Sequence, residues 1–432
     1  MIKKYNLVMV KKMIYALILI FNITPNINMN ATTFVTDIEF DVTLRKIIKK
    51  IDPHLKYELF IIKSNEENAF TTIDKNGNTI IAVYTGLIKS LTAEEFTGVL
   101  CHEIGHIKHK HVINFIYVLN KQKASLNALS LLSIIPYINI ISLILLSAEF
   151  NNLMIYSQQN EIDADLYAFK RLNQLKWPVK GLIDLFEKWS YKENKNYFSS
   201  HPWSSSRKAM AEKFIVKSNI LPANIEKSYK SIKSRISKEL YENGNPKFIP
   251  SNNYEKIWNN YLNHKYDLNL LQEITESKYQ NKSSKDTSQN HKNNYYRNEY
   301  ILLVLKAKIL LKQGKYQNAI DAMHKVYEQT QSSEALFYEI LWKSHYTKNI
   351  KLHEIQNYQQ SNPSDMRIWN LFAYYYAKKN DRSAFYYYKS EASLAKNDMR
   401  KAKYYLNRAL KITKQNSPFN IKIQDLKNAI LK

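Results

Sequence analysis

Glycine and cysteine are both scarce in this chain. Only 7 of the 432 residues are glycine, which disfavours turn-rich β architecture and favours a mainly helical protein. The single cysteine excludes an internal disulfide framework, although it does not exclude export. Acidic residues are also few, 38 against 63 lysines and arginines, which leaves a net charge of +25. That charge suits an anionic partner such as a membrane surface, but because no basic stripe is interleaved with aromatic residues we predict no nucleic-acid role.

Two long apolar runs stand out. Residues 13–23 follow four lysines and are too short to span a bilayer, so residues 1–30 are predicted to be an export signal or an N-terminal anchor. Residues 124–148 contain no charged residue. Three interpretations of this second run stay open, namely an apolar helical hairpin, a transmembrane segment, and a mobile gate over a cleft.

The most specific motif is His-Glu-Ile-Gly-His at residues 102–106. Two histidines four residues apart share one face of an α-helix, where both imidazoles can reach a single Zn²⁺. Glu103 lies between them, where its carboxylate can take a proton from metal-bound water. Thr92 as N-cap, with Glu95 three residues later, predicts that the motif lies inside a helix. The alternative is a helix that carries these residues without any metal.

A catalytic zinc needs a third protein ligand. The subclass with a third histidine six residues after the second is excluded because Val112 stands there. Glu161 on a later predicted helix is the candidate, with Asp165 one turn further on the same face. Asp165 would orient a ligand imidazole or share in proton transfer, whereas a solvated acidic helix face is the competing interpretation.

Other polar residues near these motifs receive different interpretations. His201 precedes a proline, which holds it extended, so its imidazole can project from a polar loop toward a site. His109 and His111 alternate with lysines and are predicted to form a basic helix end rather than further ligands. Cys101 points about 100° away from His102 around the helix and is predicted to be a small buried hydrophobe.

Upstream of the motif, residues 57–62 and 79–84 are short β-rich runs separated by a stretch with an Asn76-Gly77 turn, and they are predicted to pair as a hairpin. Zinc peptidases often bind substrate as a strand added to a sheet edge. A plain covered strand is the alternative to this role. The candidate edge consists of Ile80, Ile81, Ala82, Val83 and Tyr84.

Taken in order, these motifs resemble the gluzincin metallopeptidases related to the CAAX prenyl protease and HtpX, and among them the soluble periplasmic BepA-like (β-barrel assembly-enhancing) branch. The resemblance covers roughly residues 35–215. It is carried by Asn68-Ala69-Phe70, Val83-Tyr84-Thr85-Gly86-Leu87, the motif at 102–106, residues 159–165, and His201-Pro202 with Arg207.

The resemblance implies a role for each matching residue. His102, His106 and Glu161 would be the ligands of one Zn²⁺ per chain. Glu103 would be the general base and Asp165 a proton donor. His201 would cap the zinc as a fourth ligand and keep the enzyme latent, and Arg207 would steady that loop or meet the oxyanion.

The C-terminal part has a different character. Residues 276–298 are polar and are predicted to be a flexible linker or loop. Residues 307–322 then have the spacing of a tetratricopeptide helix pair, and similar pieces follow. The predicted organisation is mainly α with a small β component (α+β): a zincin-type metalloprotease domain with a small β-hairpin or sheet over 31–275, followed by an α-solenoid of tetratricopeptide-like repeats over 299–432.

The predicted function is a zinc endopeptidase of the cell envelope, located in the periplasm. The resemblance implies misassembled or stalled outer-membrane proteins as substrates, a chaperone-like role, and the β-barrel assembly machinery as a partner through the repeats. Two alternatives stay open: an integral-membrane HtpX-like quality-control protease, and a periplasmic repeat scaffold or chaperone whose protease is silent.

Overall fold

The computed structural model describes residues 34–74, 77–114, 158–190, 201, 205–236, 289–347, 350–396 and 398–430, together with 261, 269 and 272. The chain from Phe34 to Lys432 forms one compact unit. The predicted export signal and the apolar run at 124–148 lie outside the described residues. None of the described helices combines the length and the hydropathy that a bilayer crossing requires.

The first half of the chain holds all the described strands. Its elements are α1 (Ile38–Ile51), β1 (Glu58–Ile62), β2 (Ala69–Ile73), β3 (Thr79–Tyr84), α2 (Thr85–Ser90), α3 (Ala93–Lys108), α4 (Gln158–Gln174), α5 (Lys180–Ser190), α6 (Ser205–Glu212) and α7 (Ala223–Arg235). The second half contains α8 (Gln289–Lys312), α9 (Tyr316–Thr330), α10 (Ser333–Tyr346), α11 (Leu352–Ser361), α12 (Ile368–Lys378), α13 (Arg382–Leu394), α14 (Met399–Ile412) and α15 (Asn420–Ile430). The described protein is therefore mostly helical with a small sheet, as predicted.

The sheet has the order β1-β3-β2, with β1 parallel and β2 antiparallel to β3. The predicted hairpin between residues 57–62 and 79–84 is therefore wrong. The tight turn at Gly77, whose φ is +82°, joins β2 to β3 instead. Since β2 lies between the two runs in sequence, the chain reverses direction once between β1 and β2 and again between β2 and β3. Strands β1 and β3 therefore run in the same direction.

The predicted substrate edge at residues 80–84 is also wrong, because β3 is the central strand. All five side chains are at most 4% exposed. An unbroken apolar run is typical of a strand that is covered on both faces. The outer edge of β1 is partly covered, since the backbone N–H of Val35 donates to the carbonyl oxygen of Ile61 (2.8 Å) and Phe34 bridges to Ile62.

Helix α3 begins with the predicted capping box, which is confirmed. The Thr92 hydroxyl accepts the backbone N–H of Glu95 (3.2 Å), and the Glu95 carboxylate accepts the backbone N–H of Thr92 (2.7 Å). These bonds satisfy donors that a helix N-terminus otherwise leaves unpaired. The helix then runs without interruption through the 102–106 motif. Cys101 is fully buried in the main hydrophobic core, as predicted, and burial raises the pKa of its thiol.

Helices α3 and α4 approach each other closely at Gly105. A Cβ at this position would lie 2.8 Å from the carbonyl oxygen of Ala164 and 2.9 Å from its Cα. Since Ala164 stands between Glu161 and Asp165 on α4, this contact brings the face of α3 that carries His102 against the acidic face of α4. The absence of a side chain at residue 105 thus sets the spacing between two halves of the candidate site.

We expect Gly105→Ala to destabilise the fold by about 1–3 kcal/mol, because the added methyl meets backbone atoms that cannot rotate away. Gly98→Ala is the matched comparison on the same helix. There the Cβ would meet only the side chain of Leu182, which can change rotamer, so we expect a smaller loss. Urea denaturation of both variants measures the difference. Equal losses would show that the approach of the helices at Gly105 is not limiting.

The predicted linker at 276–298 is partly wrong, because residues 289–298 belong to α8. The rest of that segment lies outside the described residues. Helix propagation adds one hydrogen bond for each residue that is fixed, so a helix anchored by buried Leu303, Leu305 and Ala307 can extend into polar sequence. The polar composition of residues 289–298 therefore led to the prediction of a linker where the structure has the first turns of α8.

In the second half, successive helices pack against one another, including α8 on α9, α9 on α10, and α12 through α15 in order. The predicted helix pair at 307–322 corresponds to α8 and α9, which are joined by a turn at Gly314 with φ of +75°. The assignment of the whole region as a tetratricopeptide solenoid stays a prediction.

The two halves contact each other through α1 and β1. The Ser332 hydroxyl donates to a carboxylate oxygen of Asp41 (2.7 Å). The carboxylate of Glu58 accepts both the hydroxyl (2.7 Å) and the backbone N–H (2.9 Å) of Ser364. The helices of the second half are therefore fixed against the same sheet and helix that form the core of the first half.

Candidate metal centre

Four side chains meet between α3, α4 and the residue at 201. The ligand atoms of His102, His106, Glu161 and His201 all lie within 4.8 Å of one another. The Nε2 atoms of His102 and His106 are 2.9 Å apart, as expected for two histidines one helical turn from each other. None of the four residues is more than 2% exposed. The structure thus brings together every ligand that the sequence predicted.

Glu161 faces all three imidazoles. Its carboxylate oxygens lie 3.5 Å from His102 Nε2, 3.5 Å from His106 Nε2 and 3.1 Å from His201 Nδ1. Burial alone would raise the pKa of Glu161, but His201 and His102 hold it well below its usual range, so the carboxylate is ionised. An ionised carboxylate in a buried site needs positive charge beside it.

The charge balance of the cluster favours a cation at its centre. Burial would lower the pKa of His102, but its hydrogen bonds to Asp165 and Glu161 outweigh this effect and raise the pKa to about 9. Burial and His102 together hold the pKa of His106 well below its usual range. Without a metal, the ionised carboxylate of Glu161 is balanced by the guanidinium of Arg207, 2.9 Å away, and by the proton on His102. Two imidazoles and a carboxylate are also the donor set of catalytic zinc sites.

Asp165 orients His102. Its carboxylate lies 2.8 Å from His102 Nδ1 and accepts two bonds from Arg207, at 2.6 and 2.9 Å. When Nδ1 of His102 donates to Asp165, the lone pair on Nε2 faces the cluster. Burial would raise the pKa of Asp165, but Arg207 and His102 lower it. These contacts suit the orienting role of Asp165, and the proton-donor role implied by the resemblance stays a prediction.

Arg207 contacts Asp165, Glu161 and His201 at the same time. Besides its two bonds to Asp165, it lies 2.9 Å from Glu161 Oε2 and donates to the backbone carbonyl oxygen of His201 (3.4 Å). Its guanidinium also stacks 5.1 Å from the ring centre of Phe186 on α5. Of the two roles predicted for Arg207, this geometry favours the steadying one, because the side chain is 2% exposed and bonds to the backbone of His201.

His201 lies between Glu103 and the other ligands. Its Nδ1 is 3.3 Å from His102 Nε2, whereas its Nε2 is 3.4 Å from Glu103 Oε1. Glu103 is itself 1% exposed. The imidazole of His201 therefore fills the space between the candidate metal position and the candidate general base, which is where an attacking water would have to stand.

His111 is a site residue that the sequence interpretation missed. It was predicted to belong to a basic helix end, but its imidazole is 6% exposed and its Nδ1 lies 2.8 Å from Nδ1 of His106. His109, in contrast, is exposed, as that interpretation requires. The difference arises at Lys110, whose φ of +56° is left-handed and turns the chain back toward the site. A five-residue spacing is not a helical one, so periodicity could not reveal the contact.

Comparison with known proteins gives a partial match. Residues 39–215 match Peptidase family M48. Protease HtpX of Legionella pneumophila (strain Corby) is 43% identical over 56 residues, which cover 13% of this chain and 20% of that protein. A Protease HtpX homolog of Thermodesulfovibrio yellowstonii is 39% identical over 56 residues, and one of Methanocaldococcus jannaschii is 40% identical over 58, each with the same coverage of 13% and 20%. The chain spans about a fifth of the length of the curated relatives that it matches.

The matched segment contains all the residues of the buried site. It begins within α1 and ends after α6, so both α3 and α4 fall inside it. The similarity therefore supports a metallopeptidase related to HtpX, as the motifs predicted. The BepA-like branch within that group stays a prediction.

Proposed function

We propose that this protein is a zinc-dependent endopeptidase that His201 holds in a latent state. The observation that carries the proposal is the position of His201, which fills the space between Glu103 and the cluster of His102, His106 and Glu161. A fourth protein ligand closes a zinc site, because catalysis needs one position for water or substrate. Activity then requires His201 to leave that space.

The buried donors fit zinc better than a hard cation. His102, His106 and Glu161 would hold the metal, since neutral imidazole nitrogen is a favoured ligand of Zn²⁺ whereas Mg²⁺ and Ca²⁺ prefer oxygen. When bound, zinc would supply Lewis acidity that polarises a peptide carbonyl and makes water more acidic at neutral pH. Two of these ligands are also held by neighbouring side chains, since Asp165 bonds to His102 and Arg207 pairs with Glu161.

The protein's own residues would divide the remaining tasks. Glu103 would take the proton from the attacking water and return it to the leaving amine, since its carboxylate lies on the side of the cluster that His201 covers. Asp165 would keep His102 in the tautomer whose lone pair faces the site. Arg207 would hold Asp165 and Glu161 in place when His201 leaves the site.

A peptide substrate would bind along β2. This strand packs against α3 and is the strand on the far side of β3 from β1. Pairing with a strand edge recognises backbone rather than side chains, which suits an enzyme that cleaves misfolded chains. The periplasmic location, misassembled outer-membrane proteins as substrates and the β-barrel assembly machinery as a partner belong to this proposal on the strength of the sequence resemblance alone.

The proposal is tested by zinc content and casein cleavage of purified wild type and His201→Ala. We expect one zinc per chain in both and at least about tenfold faster cleavage by His201→Ala, because the variant opens the water position. His353→Ala, which removes an exposed histidine on α11, should match wild type. A chelator should abolish cleavage and added zinc should restore it. A wild type without zinc, or slower cleavage by zinc-loaded His201→Ala, would refute the proposal.

A further inference from the structure

His111 contacts a candidate zinc ligand directly. The Nδ1 atoms of His106 and His111 are 2.8 Å apart, and the two rings meet at 69°. On its other side, His111 Nε2 lies 4.0 Å from a carboxylate oxygen of Asp163. The second oxygen of Asp163 accepts an N–H from Gln159 (2.8 Å). A chain of polar contacts thus runs from the site to the solvent side of α4.

The short distance between two ring nitrogens fixes where the protons lie. Only one proton fits between the Nδ1 atoms of His106 and His111. If Nε2 of His106 faces a metal, its proton is on Nδ1 and His111 must accept it. The proton of a neutral His111 then lies on Nε2, which faces Asp163.

We propose that His111 is a positioning residue for the zinc ligand His106, with the carboxylate of Asp163 4.0 Å beyond its Nε2 as a neighbouring negative charge. This inference rests on the proposed function, because it assumes a metal on His106. Partners of this kind fix the tautomer and the ring orientation of a ligand, and their removal typically lowers metal affinity by about 10–100-fold. The left-handed conformation of Lys110 is the backbone feature that returns His111 to the site.

A second cation is the competing explanation for the same residues. His109, His111 and Asp163 have ligand atoms within 4.8 Å of one another. A cation bound to Nε2 of His111 would displace the proton from that atom, and a neutral His111 would then need a proton on Nδ1. It could no longer accept from His106, so an outer cation and the inner hydrogen bond compete for one imidazole.

The test compares zinc affinity of the full chain and its variants by competition with a chromogenic chelator. His111→Leu removes the acceptor and should weaken zinc binding by about 10–100-fold. His111→Gln supplies an amide oxygen in its place and should recover most of that affinity. His109→Leu removes the exposed neighbouring imidazole and should bind zinc like wild type. The absorption spectrum of the Co²⁺-loaded protein should shift in His111→Leu and return toward wild type in His111→Gln.

The outcomes separate this inference from the proposed function. If wild type binds one zinc but His111→Leu binds it with unchanged affinity, the positioning role is refuted and the enzyme proposal stands. Two zinc ions per chain in wild type, with one lost in His109→Leu, would refute the positioning role and show that His111 is a ligand of an outer cation. A lower unfolding temperature of zinc-free His111→Leu with normal zinc affinity would show a structural role only. A wild type that binds no zinc would overturn both proposals.

Discussion

Glu103→Gln is expected to abolish casein cleavage while leaving zinc bound. Glutamine keeps the shape of the side chain but cannot accept a proton, and general-base catalysis typically contributes about 10²–10⁴-fold to rate. None of the candidate zinc ligands is altered, so zinc content should stay at one per chain. The measurement is best made in a His201→Ala background, because there the water position is open and the loss can be followed over several orders of magnitude.

Glu94→Gln is a matched control for this experiment. Glu94 lies in the first turn of the same helix, eight residues before His102, and changing it removes the same charge from α3. It should leave cleavage unchanged within about twofold, because Glu94 is only half-buried and contacts none of the cluster residues His102, His106, Glu161 and His201. Cleavage retained by Glu103→Gln would remove the general base from the mechanism. Envelope function retained by a cleavage-deficient variant would instead favour a scaffold acting through the repeats.

The sequence could predict the motif helix because its start and its contents follow local rules. Thr92 and Glu95 form a capping box that depends on a three-residue spacing, and His102 and His106 share a face because a helix repeats every 3.6 residues. Glu161 could be chosen because zinc chemistry requires a third donor, and Glu161 shares one face of a predicted helix with Asp165. Each of these inferences uses residues that are close in sequence or a donor that chemistry demands.

Strand pairing and the role of His111 were not predictable in the same way. The order β1-β3-β2 arises because β3 pairs with both other strands. The alternation of side chains along a strand shows which face is buried but not which strand lies next to it. The contact of His111 with His106 depends on one left-handed residue, Lys110, whose side chain gives no sign of that conformation. The role of Arg207 was left between two choices because its partners Asp165 and Glu161 are distant in sequence.

Arg207→Met is expected to cost about 3–5 kcal/mol of unfolding free energy in zinc-free protein, because it leaves the carboxylates of Asp165 and Glu161 buried without their cation. In wild type, the net effect on Asp165 is a pKa below its ordinary 3.8. That depressed pKa contributes stability above pH 3.8 that is lost as the pH falls through the folded-state value. The gap between wild type and Arg207→Met should therefore be widest near neutral pH and shrink in acid.

Lys208→Met, one residue further along α6, is the matched control. Lys208 is 31% exposed and pairs at 3.4 Å with Glu187, which is 55% exposed, and such surface pairs contribute about 0–1 kcal/mol. Arg207→Lys keeps the charge but loses the planar fork that bonds Asp165 twice, so its stability should fall between wild type and Arg207→Met. Urea denaturation at several pH values measures all three. If Arg207→Met were no less stable than Lys208→Met, Arg207 could not be the cation that keeps the acidic face of α4 charged inside the core, and the positions of Glu161 and Asp165 would need another source.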